Sequence, residues 1–65
     1  MFEVLEPQVG DQVKVMFYED ELPYVSEMHP ELLEPGEVVE TKQELYWVAF
    51  GERVEVFEKR KLVRV

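Results

Sequence analysis

Residues 44–57 read Glu-Leu-Tyr-Trp-Val-Ala-Phe-Gly-Glu-Arg-Val-Glu-Val-Phe: an unbroken apolar run, a glycine, then charged and apolar positions in alternation. The run from Leu45 to Phe50 is too short for a stable helix. It is rich in aromatic and β-branched side chains, which suits a strand. Gly51 supplies the positive φ of a type II′ corner, so Gly51-Glu52 predicts a two-residue hairpin turn. That turn pairs Phe50 with Arg53, Ala49 with Val54, Val48 with Glu55, Trp47 with Val56 and Tyr46 with Phe57. Paired residues share a face. Leu45, Trp47, Ala49, Val54 and Val56 make one wholly apolar face, the expected core, with Trp47 inside it. Tyr46, Val48, Phe50, Arg53, Glu55 and Phe57 make a mixed face, expected to be partly covered or to form a binding surface. A slip of one residue would exchange the two.

Upstream, Phe2–Leu5 predicts a short edge strand closed by Pro7. A turn at Val9-Gly10-Asp11 leads into Gln12–Tyr18, where Val13, Val15 and Phe17 alternate with Lys14, Met16 and Tyr18 as in a half-buried strand. Residues 19–35 hold Pro23, Pro30 and Pro35 and no sustained period. They predict a long excursion loop with one helical turn at Pro30-Glu31-Leu32-Leu33. Leu22, Tyr24, Val25, Met28, Leu32 and Leu33 would pin it to the core. Pro35-Gly36 marks a turn, Glu37–Thr41 a strand, and Lys42-Gln43 a reversal whose register stays open without a glycine. A polar step, Glu58–Lys61, precedes a last strand, Leu62–Val65. The expected fold is all-β: a small five-stranded barrel, one domain over residues 1–65, with a long acidic loop after the first main strand.

Composition sharpens this picture. A chain of 65 residues buries only about 60% of its unfolded surface, and closing a sheet into a barrel shares one core among all strands. With no cysteine, disulfides and thiolate metal sites are excluded. The longest apolar run is that one strand, so no helical membrane span is expected. The opening Met-Phe-Glu-Val-Leu-Glu has no signal-like block, which points to the cytoplasm. Charge is the strongest signal. The net charge is −8, and residues 18–37 contain Glu19, Asp20, Glu21, Glu27, Glu31, Glu34 and Glu37 with no Lys or Arg. Such a field repels phosphate backbones and draws basic partners.

Three stretches carry a family likeness. Gly-Asp-Gln-Val-Lys-Val (10–15), Pro-Gly-Glu-Val-Val-Glu (35–40) and the closing run from Tyr46 to Val65 resemble the opening, second strand and final hairpin of SH3-like barrels. Small bacterial barrels and those of the KOW and Tudor type are included in that group. The resemblance implies a five-stranded SH3-like barrel. It implies little about activity, because the fold serves peptide binders, RNA binders, methyl-cation readers and enzyme subunits alike. Polyproline recognition is not implied: Phe17-Tyr18-Glu19-Asp20 stands at the first strand, Trp47 is single, and Glu58-Lys59-Arg60 replaces the proline corner.

Catalytic constellations are missing from the sequence. Ser26 and His29 are the sole residues of their kinds, there is no Gly-rich phosphate loop, and the many glutamates produce close pairs such as Glu19/Glu21 and Glu37/Glu40 without singling any out. No enzyme activity and no cofactor are expected. His29 with Glu27 and Glu31 is too sparse a donor set for a metal, so none is expected there. The leading expectation is a binding module for a basic protein segment, acting as adaptor, inhibitor or nucleic-acid mimic. Its surface would comprise Tyr18, Glu19, Asp20, Glu21, Tyr24, Glu27, Glu31, Tyr46 and Phe57, with carboxylates supplying attraction and aromatic rings supplying contact. The alternative is a nucleic-acid-binding barrel using Arg53, Lys59, Arg60, Lys61 and Arg64. The plainer account of those bases is internal neutralisation of the acidic loop. A third reading is a structural accessory subunit, homodimeric through Phe2–Leu5.

Overall fold

A computed structural model describes residues 6–65; the edge strand assigned to Phe2–Leu5, and any dimer through it, fall outside them. Strand β1 (Gln12–Val15) leads to helix α1 (Leu22–Met28) and a 3-10 turn at Pro30–Leu33. Strands β2 (Gly36–Lys42), β3 (Leu45–Phe50) and β4 (Arg53–Glu58) follow, then a second 3-10 turn at Lys59–Lys61 and strand β5 (Leu62–Arg64). The strands form one antiparallel sheet in the order β4-β3-β2-β1-β5. The protein is thus a small β-rich domain with one short helix.

The hairpin register is the one that the Gly51 turn dictates. Phe50 pairs with Arg53, Val48 with Glu55 and Tyr46 with Phe57, and Gly51 has φ +68°. The β2–β3 reversal is equally tight: Lys42 pairs with Leu45, and Gln43 takes the left-handed conformation (φ 57°) that a glycine would adopt without strain. Between Val38 and Glu40 the ladder is broken by a bulge that leaves Val39 as the extra residue, exposed to solvent.

The face of the hairpin that is buried is the opposite of the one expected. Tyr46, Val48 and Phe50 are buried, joining Val13, Val15, Val25, Leu32, Val38 and Leu62 in the core, while Phe57 packs edge-on against Phe50 at 6.1 Å. Leu45, Val54 and Val56 are exposed, and Trp47 and Ala49 only half-buried. The reason lies in what covers the mixed face. Arg53 and Glu55 interrupt it, yet they neutralise each other through an Nε–Oε2 contact of 2.7 Å. Arg53 Nη1 also donates to Glu31 Oε1 at 2.5 Å and to His29 Nδ1 at 2.9 Å. The excursion therefore lies over this face and satisfies its charges, and among the described residues no element covers the other face, where Leu45, Val54 and Val56 stay exposed.

Residues 19–35 are more structured than a loop. Pro23 stands in the first turn of α1, where its missing N–H costs nothing. Val25 turns into the core, and Leu32 follows from the 3-10 turn. Strand β1 ends at Val15 rather than Tyr18, although Met16 N still donates to Lys61 O at 2.7 Å and extends the β1–β5 contact by one step.

Candidate functional site

The end of β1 and the second 3-10 turn run side by side and leave a cleft of about 360 Å3 lined by Met16, Phe17, Tyr18, Arg60 and Lys61. Met16 and Tyr18 alternate outward along the strand direction and are exposed, while Phe17 turns back toward the core. A turn then folds Tyr18 onto Glu21. Glu21 N donates to Tyr18 O at 2.9 Å, and Tyr18 N donates to Glu21 Oε1 at 2.8 Å. The same carboxylate lies 3.9 Å from Lys61 Nζ, which sits 4.9 Å from the centre of the Tyr18 ring. One aromatic face and one carboxylate thus form a seat for a cation, occupied by the chain's own Lys61.

Glu19 and Asp20 are exposed at the turn that leads to Glu21, and Tyr24 and Glu27 are exposed on α1, with Tyr24 edge-on to His29 at 5.8 Å. Glu19, Asp20 and Glu27 pair with no base among the described residues. The remaining residues of the expected surface are placed elsewhere. Tyr46 is 4% exposed, a core residue rather than a contact, because its face of β3 is the covered one. Phe57 is half-buried against Phe50. Glu31 is held by Arg53; its own backbone N–H first, and that guanidinium second, keep the carboxyl below its usual pKa. Arg53 is pushed up by Glu55 and then Glu31, and Lys59 is pushed up by Glu6.

The five bases expected to form a nucleic-acid patch are each beside a carboxylate. Arg53 contacts Glu31 and Glu55, Lys59 contacts Glu6, Arg60 contacts Glu58, Lys61 contacts Glu21, and Arg64 contacts Asp11 at 3.3 Å. His29 Nδ1 faces a guanidinium, a donor without lone pairs, so that nitrogen accepts and is turned away from metal ligation. Among the described residues no three His, Asp or Glu side chains converge as a metal site. No helix there is long and apolar enough to cross a membrane.

Nothing local in the sequence marks Lys61 and Met16 as neighbours in this cleft. Their signal is non-local: Val15 pairs with Leu62, so β1–β5 pairing brings residues 13–16 beside residues 61–64. No family model, curated protein or solved structure matches the chain.

Proposed function

We propose that the chain is a non-catalytic binding module of SH3-like barrel form, one domain over residues 1–65. Its Tyr18–Glu27 surface holds a basic segment of a protein partner in the cytoplasm. The observation that carries this reading is the position of Lys61, against both the Tyr18 ring and Glu21. A partner's Lys or Arg entering the cleft would meet the same ring and carboxylate, with Glu19, Asp20 and Glu27 supplying the attractive field. The barrel form is supported by the position of β1 between β2 and β5, and by the 3-10 turn that precedes β5. The pairing of all five expected nucleic-acid contacts with carboxylates weighs against the nucleic-acid alternative.

The test is a titration of a fluorescein-labelled hexa-arginine peptide, read by anisotropy. Reversing Glu19 and Asp20 together to lysine weakens binding about tenfold or more, and Tyr18→Ala weakens it too. Lys61→Met vacates the seat and strengthens binding up to roughly fivefold, the equivalent of one exposed cation–π contact of about 1 kcal/mol. Equal affinities for all four proteins would reject the reading. Micromolar RNA binding at low salt that persists in the charge-reversed protein would favour the alternative.

A further inference from the structure

The outer face of β2, β3 and β4 is the side of the sheet that the core does not use. Cross-strand partners share a face, so three rows can be read from the register. Along β3 run Leu45, Trp47 and Ala49. Beside them on β4 run Val54 and Val56, paired with Ala49 and Trp47 respectively. On the other flank, β2 places Glu37 beside Ala49, Glu40 beside Trp47 and Lys42 beside Leu45. Leu45, Val54 and Val56 are each 42–49% exposed. Among the described residues, the α1 and 3-10 segments contribute Val25 and Leu32 to the opposite, buried side. Glu37 and Glu40 are exposed and pair with no base among the described residues.

An apolar strip two strands wide, bordered beside Ala49 and Trp47 by two carboxylates and ended beside Leu45 by Lys42, has a definite complement. Neighbouring strands are about 4.8 Å apart, so the two apolar rows match the apolar stripe of a single helix about 10 Å across. The acidic row lies one further strand spacing away, within reach of long basic side chains on that helix's flank. Two copies of this chain would instead bring two molecules of charge −8 together. We infer that the outer face of β2–β4 docks an amphipathic helix of a protein partner, apolar along one stripe and lined with Lys or Arg along one edge. This surface shares no residue with Tyr18–Glu27, so it stands or falls apart from the cation seat.

Trp47 is the one tryptophan of the chain and reports directly on cover of this face. The full chain is titrated with a tryptophan-free peptide of leucine and lysine in helical register while Trp47 emission is followed. The expected result is a saturable blue shift with Kd in the micromolar range, weakening as salt rises. A Glu37→Gln, Glu40→Gln double variant, altered only at exposed positions, weakens binding at least threefold and reduces its salt dependence. A Val54→Ser, Val56→Ser double variant loses the shift, whereas Glu19→Lys with Asp20→Lys leaves it in place. Three outcomes would overturn the inference. One is no movement of Trp47 emission with the basic peptide. The second is an equal shift with the same peptide carrying glutamate for lysine. The third is a blue shift that follows protein concentration alone while sedimentation shows a dimer, which would assign the face to a second copy.

Discussion

Gly36 opens β2 directly against β3, and a methyl group there has nowhere to go. An added Cβ would lie 2.5 Å from Val48 Cγ1, 2.8 Å from Phe50 Cε1 and 2.9 Å from the Ala49 carbonyl oxygen. Val48 is fully buried and cannot swing into free space, and the third neighbour is backbone. Overpacking of this kind costs about 1–3 kcal/mol, and contact with a fixed carbonyl points to the upper end. Alanine also stiffens the unfolded chain, which returns roughly 0.4–1 kcal/mol. The net loss for Gly36→Ala is then about 2 kcal/mol, against a total stability of about 3–10 kcal/mol for a domain this size. At roughly 4–8 °C per kcal/mol, the melting temperature falls by about 8–16 °C. Thermal melts by far-UV circular dichroism and Trp47 fluorescence, repeated in urea to check that m is unchanged, measure it. Gly51→Ala is the control: nothing lies within 4 Å of its added Cβ, so its cost comes from φ +68° alone, about 1–2 kcal/mol. A Gly36→Ala protein that melts at or above the parent temperature would refute the close approach of β2 to β3.

Two further tests probe the buried face and the clamp over it. Tyr46→Ala should cost about 3–5 kcal/mol and leave much of the chain unfolded, whereas its neighbour Trp47→Ala should cost about 1–2 kcal/mol; chemical denaturation ranks the two, and the reverse order would return the core to the outer face. The Glu31 carboxyl has a folded pKa below its value of 4.5 in the unfolded chain. The stabilisation that the backbone N–H first and Arg53 second give the ionised carboxylate is therefore present above that value and is lost as pH falls through the lower folded value. Parent and Glu31→Gln proteins should differ in melting temperature at pH 7 and converge as the pH falls below 4.5.

The hairpin register was legible because it depends on local chemistry: one glycine at one corner fixes every pair from Phe50–Arg53 to Tyr46–Phe57. Which face is buried was not legible, because it depends on a segment more than twenty residues away. Counting apolar side chains favours Leu45, Trp47, Ala49, Val54 and Val56. Arg53 and Glu55 become tolerable beneath the excursion only once Glu31 and His29 lie over Arg53. Helix α1 left a trace in the three-residue spacing of Leu22, Val25 and Met28, but Pro23 and its seven-residue length hid it. The aromatic and acidic parts of the cation seat, Tyr18 and Glu21, were visible as neighbours in sequence. Its lysine was visible only as part of a basic run, since the contact is made by pairing across nearly the full chain.

The extra residue at Val39 has an effect on parity. In an uninterrupted strand, positions 37 and 40 are an odd number of steps apart and would look in opposite directions. The bulge absorbs one step, so Glu37 pairs with Ala49 and Glu40 with Trp47, two positions that look the same way. Drawing Val39 into the ladder opposite Trp47 would flatten the bulge and turn Glu40 inward, whereas deleting Val39 would leave both carboxylates on the same side. Keeping Val39 out of the ladder is thus what sets Glu37 and Glu40 on one side of the sheet.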